Sequence, residues 1–311
     1  MRVAISGATG RLGRALVAAV EEAPFGGPFG PITWSRPAFD LDAPEAFDNL
    51  LDRDRPEIVV HAAAWTDVDG CARDPELALA RNGLATGRLA EACFERGIDL
   101  VVVSTNEIFD GRRTDGRGYA AGDHPNPINP YGVSKLAGEE AARAAYAGDR
   151  GAGRSVGVPA LGIVRTAWLY GPPGNDFPAK ILAAADRARA AGEPLRLVAD
   201  ETGSPTYSRD LAEAIAQLIG AAAVEGIHHI VNAGQASRAD WARELLRQAG
   251  LVVDTRDVPA ATWPRASTPP GWAVLEPTPL PGGEPLRPWQ AALADYLPAL
   301  VRSRARSVAA G

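Results

Sequence analysis

The sequence predicts an α/β protein whose core is a doubly wound parallel sheet with helices on both faces, accompanied by a smaller, mainly C-terminal lobe. Three features carry that prediction. Apolar runs of strand length alternate with helical periodicities over most of the 311 residues. One of those runs, Leu100-Val101-Val102-Val103, shows no polar alternation, as in a strand covered on both faces. A glycine-rich turn joins the first apolar run to the first helical pattern.

Arg2 to Ser6 is the first strand, and Arg11 to Glu22 follows as a helix with Leu12, Leu16 and Val20 along one face. Pro24 to Pro31 holds too many prolines and glycines for a ladder or a helix, so it is a loop, and Ile32 to Ser35 makes the second strand. Asp42 with Glu45 three residues later is a capping-box-like start for a helix to about Arg53. Glu57 to His61 is the third strand, Pro75 to Arg96 one long helix, and Ile98 to Ser104 the fourth strand. Pro130, tolerated in a first helical turn, opens a helix to Ala145. Gly162 to Thr166 and Ile227 to Asn232 complete six strands, with a helix from Ser208 to Ile219 between them. The rhythm breaks at Ala147 to Pro159, a glycine- and arginine-rich exposed insertion, and at Pro259 to Glu284, ahead of a final helix from Pro288 to about Arg302. The expected division is 1–167 with 207–233 for the sheet domain and 168–206 with 234–311 for the smaller lobe. No internal repeat is visible.

A hydrophobic content of 46% supports a real core and argues against disorder. The formal charge of −6 has the wrong sign for bulk attraction to nucleic acid or an anionic membrane, and no run of eighteen apolar residues occurs. With no basic head and apolar stretch at the start, the chain reads as cytoplasmic. Cys71 and Cys93 cannot make a disulfide framework, and the histidines at 61, 124, 228 and 229 have no metal-binding spacing, so no built-in metal site is expected. His228 and His229, adjacent in a strand, point to opposite faces. His61 reads as a hydrogen-bonded core histidine, and Asn82 either bonds backbone near the site or sits on the surface. Only Lys135 and Lys180 are lysine among 32 basic residues, and neither completes a Walker A loop. The Gly-x-Ser-x-Gly match at Gly153 to Gly157 precedes a strand instead of turning from strand to helix, which argues against an α/β-hydrolase.

Gly7-Ala8-Thr9-Gly10-Arg11-Leu12-Gly13 lies between the first strand and the first helix. Glycines there let the backbone approach a pyrophosphate, and the free N–H groups of the helix start meet its charge, so a Rossmann-type dinucleotide site is expected. The same turn without a ligand is the plainer reading. The second strand ends Thr33-Trp34-Ser35-Arg36 with no acidic residue to hold a ribose 2′-hydroxyl, and Arg36 suits a 2′-phosphate. NADPH is therefore expected over NADH, although Asp40 is close enough to restore an acidic contact and NADH stays possible.

Tyr131 and Lys135, four apart, share a face of the predicted helix. A nearby ammonium favours the phenolate, so Lys135 is expected to bring the Tyr131 pKa down and make it a usable proton donor or acceptor. Ser104-Thr105 ends the fourth strand at the edge where ligands of such sheets sit, and a hydroxyl there can stabilise charge on a substrate carbonyl oxygen or merely satisfy backbone.

These residues resemble the dTDP-4-dehydrorhamnose reductase family of the extended short-chain dehydrogenases/reductases. The resemblance spans nearly the whole chain: the glycine turn, His61 to Asp69, Ser104-Thr105 with Phe109-Asp110-Gly111, Tyr131 to Lys135 with Gly138-Glu139, Arg165 to Trp168, and Asp200 to Thr206. It implies NADPH-dependent reduction of the C4 carbonyl of a nucleotide-linked 4-keto-6-deoxysugar, with Thr105, Tyr131 and Lys135 catalytic. It implies cofactor contacts at Gly7, Gly10, Arg11, Leu12, Gly13, Arg36, Asp40, Leu41, Ala62, Ala63 and Ala64, and through Tyr131 and Lys135. Thr66, Val68, Asn106, Glu107, Trp168, Thr202, Gly203, Pro205 and Thr206 would enclose the sugar nucleotide in a substrate-binding lobe, with core packing an equal alternative for Trp168. A homodimer is compatible with the resemblance, and a magnesium requirement is left open. Where the family usually continues Ser-Thr-Asp-Tyr, this chain has Ser104-Thr105-Asn106-Glu107, and Glu201 stands where glutamine is usual, which puts the sugar's identity and stereochemistry in question. The fold and the tyrosine/lysine pair are shared with sugar-nucleotide epimerases and other carbonyl reductases. A cofactor-binding regulatory subunit resembling the β subunit of methionine adenosyltransferase is a third reading.

Overall fold

The computed structural model describes residues 1–25, 30–147 and 158–309. Most of the expected insertion at 147–159, and all of Gly153 to Gly157, lie outside the described residues. Six strands build the main sheet: β1 Val3–Ser6, β2 Ile32–Trp34, β3 Ile58–His61, β4 Asp99–Thr105, β5 Leu161–Thr166 and β6 Gly226–His229. All are parallel, in the order β6-β5-β4-β3-β1-β2. The chain runs outward from β1 to β2 and then crosses to β3 on the other side, so the order reverses at β1 and a crevice opens above the carboxyl ends of β1 and β3.

Period-two alternation sorts the strand residues into two cores. Val3, Ile5, Val60, Val101 and Val164 pack against Leu16 and Val20 of α1 (Arg11–Glu22) and Leu211 and Ile215 of the helix Ser208–Gly220. Ala4, Val59, Leu100 and Val102 pack on the other face, against α2 (Phe47–Asp54), α3 (Ala85–Glu95) and α4 (Pro130–Tyr146) through Leu50, Leu89, Cys93, Ala142 and Tyr146. The smaller lobe has a third core in which Tyr170, Leu182, Leu197, Trp241, Leu245, Leu293 and Tyr296 join α5 (Phe177–Ala191), α7 (Arg238–Gln248) and α8 (Trp289–Ala309). The Ser208–Gly220 helix, α6, lies between them in sequence and belongs to the sheet.

Three expectations for elements change. The single helix over Pro75 to Arg96 is Pro75–Ala78, a π turn Leu79–Leu84, and then α3. Asn82 causes the break: its carboxamide turns inward to Trp65 and Ser134 while its own carbonyl accepts from Thr86 Oγ1 at 2.8 Å. The capping-box start at Asp42 does not form, because both Asp42 carboxylate oxygens accept from Arg81, at 2.6 and 2.5 Å; Pro44–Ala46 is a 3-10 turn and α2 begins at Phe47 without a side-chain cap. The sixth strand ends at His229, and Asn232–Ala233 pairs instead with Leu286–Pro288 while the Asn232 side chain bonds Tyr207 N–H and Asp210. Three helices were not anticipated: Val68–Arg73, α5 and α7.

α3 and α4 approach closely because glycines line their contact. A Cβ on Gly87 would sit 2.9 Å from the Ala141 Cβ, and one on Gly138 would run into the Asn82 carbonyl. This packing holds the start of α4, with Tyr131 and Lys135, over the carboxyl end of β4.

Candidate active site

The glycine turn leaves β1 at Gly7, whose φ of +66° suits a residue without a side chain. A Cβ there would lie 2.8 Å from Ala63 N, and one on Gly13 would lie 2.7 Å from the Ala8 Cα. Only glycine lets β1, the start of α1 and the segment after β3 come together this tightly. Gly10 caps α1 without any side-chain hydrogen bond, and the first turn of the helix carries no acidic residue, so the free N–H groups face an uncommitted space. That space is a crevice of about 300 Å³ lined by Gly7, Gly10, Arg36, Asp40, Leu41 and Ala62 to Trp65, among others. An adenosine diphosphate fits the chemistry of this lining: backbone donors, glycines and alanines at the floor, and mixed charge at the rim.

Two of the expected cofactor contacts have side chains engaged elsewhere. The Arg11 guanidinium reaches across to the lobe, donating to the carbonyls of Gly171 (3.1 Å) and Asn175 (2.9 Å), so it ties the glycine turn to the lobe. Leu12 is buried in the core beneath the turn and offers the crevice only its backbone. Arg81, which sequence reasoning did not single out, lines the crevice from the π turn, paired with Asp42 and lying over the Trp65 ring at 5.3 Å.

Beyond the crevice, β4 and α4 bring Thr105, Tyr131 and Lys135 to one place. Asn129 caps α4, its Oδ1 accepting from Gly132 N–H at 2.8 Å, and Pro130 follows at the first helical position. The Tyr131 phenol is buried; burial and the nearby Glu107 carboxylate push its pKa above the ordinary phenol range, with the neighbouring Thr105 hydroxyl working against that rise. This reverses the expectation that Lys135 would bring it down. The reason is geometric: the Lys135 ammonium is turned to the carbonyl of Val103 on β4, donating at 2.8 Å. Burial pulls the Lys135 pKa down to about 8 against the opposing charge of Glu139.

Glu139, in turn, is fully buried in an ion pair with Arg165 (2.7 Å) and accepts from Ser104 Oγ at 2.5 Å, which fixes the residue before Thr105. His61 is the core histidine expected: Ser6 Oγ lies 2.8 Å from Nδ1 and Thr86 Oγ1 3.2 Å from Nε2. Since Ser6 Oγ accepts from Ala63 N–H and Thr86 Oγ1 donates to the Asn82 carbonyl, the chain of bonds assigns the proton to Nε2. Asn82 is buried and joins the two walls of the site, accepting from Trp65 N–H at 2.8 Å and donating to Trp65 O and Ser134 Oγ.

The residues expected around a sugar nucleotide divide into those facing the cleft and those beneath it. Val68 packs with Trp65 beside Tyr131, and Thr66 is exposed at the rim. Glu107 N–H donates to Thr105 Oγ1 (3.2 Å), and its carboxylate accepts from Asn129 Nδ2 (2.6 Å). Asn106 is buried, reached by the Thr105 hydroxyl at 3.4 Å and donating at 3.4 Å to the carbonyl of Ala273, so it pins the lobe to the end of β4. Thr206 is likewise fully buried, donating to Ser204 O at 3.1 Å, and Pro205 is buried beside it. Thr202 and Gly203 form a short strand paired with Ala236–Ser237 and Trp272–Ala273. A Cβ on Gly203 would strike the Trp168 ring at 2.5 Å, and the Arg238 guanidinium covers that ring at 3.5 Å. Trp168, held at a φ of +42°, is thus a platform for Arg238. Arg238, Arg265 and Ser267 also line the site, and no local sequence pattern marks them. They come from distant segments: the Ser267 N–H donates to Asp69 Oδ1 at 3.0 Å, and Arg265 lies 3.6 Å from the same oxygen, bringing the 265–268 loop over Val68 and Asn129.

Over residues 1–302 the chain matches the family model described as RmlD substrate binding domain. It belongs to that family. Among curated members, the dTDP-4-dehydrorhamnose reductase of Mycobacterium tuberculosis is 36% identical over 309 residues, covering 97% of this chain and 94% of the relative. Among solved structures, a dTDP-4-dehydrorhamnose reductase from Clostridium acetobutylicum superposes with a TM-score of 0.84 at 29% identity, over 96% of this chain and 99% of that one. The Bacillus anthracis dTDP-4-dehydrorhamnose reductase in complex with NADP gives 0.81 at 29% identity, again over 96% and 99%. Membership in the RmlD family accounts for both the sheet and the lobe, since the match spans the two.

Proposed function

We propose that this family member is an NADPH-dependent reductase of the C4 carbonyl of a dTDP-linked 4-keto-6-deoxysugar, as the relatives named for that chemistry suggest. The observation that carries the reading is the placing of Tyr131, with Thr105 beside it, against Trp65 in the wall of the crevice opened by the glycine turn. When bound, the reduced dinucleotide supplies the hydride. The chain's residues supply everything else. Gly7, Gly10 and Gly13 admit the diphosphate to the first turn of α1, and Ala62 to Ala64 leave the floor flat for the cofactor. Arg36 and Arg81 provide positive charge at the adenosine end, and Asp40 and Asp42 partly offset it.

Thr105 donates to the substrate carbonyl oxygen and polarises it. Tyr131, kept protonated by its surroundings, hands its proton to the same oxygen as negative charge develops there. Lys135, fixed on the Val103 carbonyl, retains two donors for a ribose hydroxyl and holds a positive charge near the reacting centre. The direction of the Tyr131 shift keeps the phenol protonated near neutral pH, the form that reduction consumes.

Incubation with NADPH and dTDP-4-keto-6-deoxyglucose, with and without a 3,5-epimerase, tests the reading by loss of NADPH absorbance. Oxidation that is stoichiometric with the sugar, and reduced at least about a hundredfold by Tyr131→Phe, is the expected result. Tight cofactor binding without turnover of either sugar would replace the reductase with a regulatory role.

A further inference from the structure

We propose that Glu107 and Arg238 together read a sugar hydroxyl next to the reacting carbonyl, so that the chain selects sugars keeping that hydroxyl over counterparts deoxygenated there. The inference rests on the reductase reading above. Glu107 is fixed between the two groups assigned to the carbonyl oxygen. Its N–H donates to Thr105 Oγ1 at 3.2 Å, and its Oε2 accepts from Nδ2 of Asn129, the cap of the helix that carries Tyr131, at 2.6 Å. Gly132 lets the start of α4 lie directly on the Glu107 backbone, where a Cβ would overlap the Glu107 carbonyl. The other carboxylate oxygen, Oε1, has no hydrogen-bond partner among the described residues. Glu107 is half-buried, and its carboxylate accepts only, so Oε1 is open to an O–H or N–H donor entering the cleft.

Arg238 approaches from the lobe, near enough for its charge to act on Glu107. Its guanidinium lies flat on the Trp168 ring at 3.5 Å, near Phe177 at 5.2 Å, and its Nε donates to Glu201 Oε2 at 3.4 Å. Among the described residues its terminal N–H groups make no hydrogen bond, and the stack leaves them directed edge-on. The charged groups near Glu107 are Arg238 and Arg265, which favour its ionised form, and Glu201, which opposes it; Tyr131 is kept protonated beside it, and burial raises the carboxyl's pKa. An acceptor on the sheet side and donors on the lobe side suit a hydroxyl, which donates once and accepts once. An anionic substituent would meet Glu107 and a cationic one Arg238, and a methylene would leave both unsatisfied.

The test compares kcat/KM for a nucleotide-linked 4-keto-6-deoxyhexose bearing a 3-hydroxyl with that for its 3-deoxy counterpart. Wild type is expected to favour the hydroxylated sugar by at least about a hundredfold, and in Glu107→Leu and in Arg238→Met the preference is expected to fall below about tenfold. Glu107→Gln, which keeps the shape, covers the case in which the leucine variant fails to fold. Wild-type preference is expected to decline as pH is lowered through the carboxyl's titration, and the preference of the glutamine variant is not. Equal use of the two sugars by wild type, or an undiminished preference in the variants, overturns the inference and leaves the reductase standing. Absence of NADPH oxidation with both sugars overturns the reductase itself.

Discussion

In the proposed reaction Tyr131 gives up a proton, and its surroundings decide when it can. Burial and the Glu107 carboxylate hold the phenol protonated, and the neighbouring Thr105 hydroxyl offsets part of that rise. Lys135 is the group that titrates near neutrality, its pKa drawn down to about 8 by burial. Its ammonium form is populated below that value and lost above it. The kcat/KM for the ketosugar is therefore expected to fall on the alkaline side of about pH 8, in Tyr131-containing enzyme, and to show no such limb in Lys135→Arg at whatever rate that variant retains; a profile flat to pH 10 would contradict the assignment. At this scale the sequence was informative where residues are neighbours. Tyr131 and Lys135 are one helical turn apart, and lysine is rare enough here for the spacing to stand out. Asn129, Glu107, Arg238 and Arg265 meet only through the fold, so no local spacing could have joined them, and the direction of the Tyr131 shift depended on where the Lys135 side chain points.

At the scale of elements, the glycine turn is the most exacting feature. A methyl on Gly13 would press on the Ala8 backbone and the Gly7 carbonyl, neither of which is a flexible side-chain end. Gly13→Ala is expected to cost about 1–3 kcal/mol of stability through overpacking and to weaken NADPH binding at least about tenfold, read by thermal unfolding and by fluorescence titration. A variant with unchanged melting and affinity would show that the turn is looser than the structure has it. Strands and helices with strong periodicity, β1, α1, β3, β4, α4, β5 and α6, were legible because burial on one or both faces imposes the pattern directly. The π turn was not, since it answers to the tertiary demand that Asn82 reach Trp65 and Ser134. Nor were α5 and α7, which the sequence reading assigned to no element and whose apolar faces pack against each other and α8.

For the whole molecule, two neutral histidines couple folding to pH. Burial and the charge of Lys135 bring the His61 pKa down to about 3, and burial with the charge of Arg165 brings His229 down to about 4. An unfolded chain has both near 6.5. Between those limits the unfolded state binds protons that the native state refuses, so stability is fully present above about pH 6.5 and is lost as pH falls toward 4, by roughly 1.4 kcal/mol per pH unit for each histidine. Urea midpoints are expected to drop steeply between pH 6.5 and 5 and to stay nearly level between 6.5 and 7.5; equal midpoints at pH 5 and 7 would contradict the buried, neutral assignment. The two histidines also mark how the molecule is joined. His61 is buried at the end of β3 between Ser6 and Thr86, and His229 bonds the Tyr119 carbonyl beside Arg165, where the loop from β4 and the end of β6 meet.

The account centres on one ketone that receives hydride from the dinucleotide and a proton from Tyr131. Isotope tracing tests this most directly: NADPH carrying deuterium at the reactive nicotinamide carbon is turned over with the 4-ketosugar, and the product is read by NMR. Deuterium at C4 of the sugar, in a single configuration and lost together with turnover in Tyr131→Phe, is the predicted result. Turnover that leaves the label on the cofactor, or a Tyr131→Phe variant that transfers it at the wild-type rate, would contradict it.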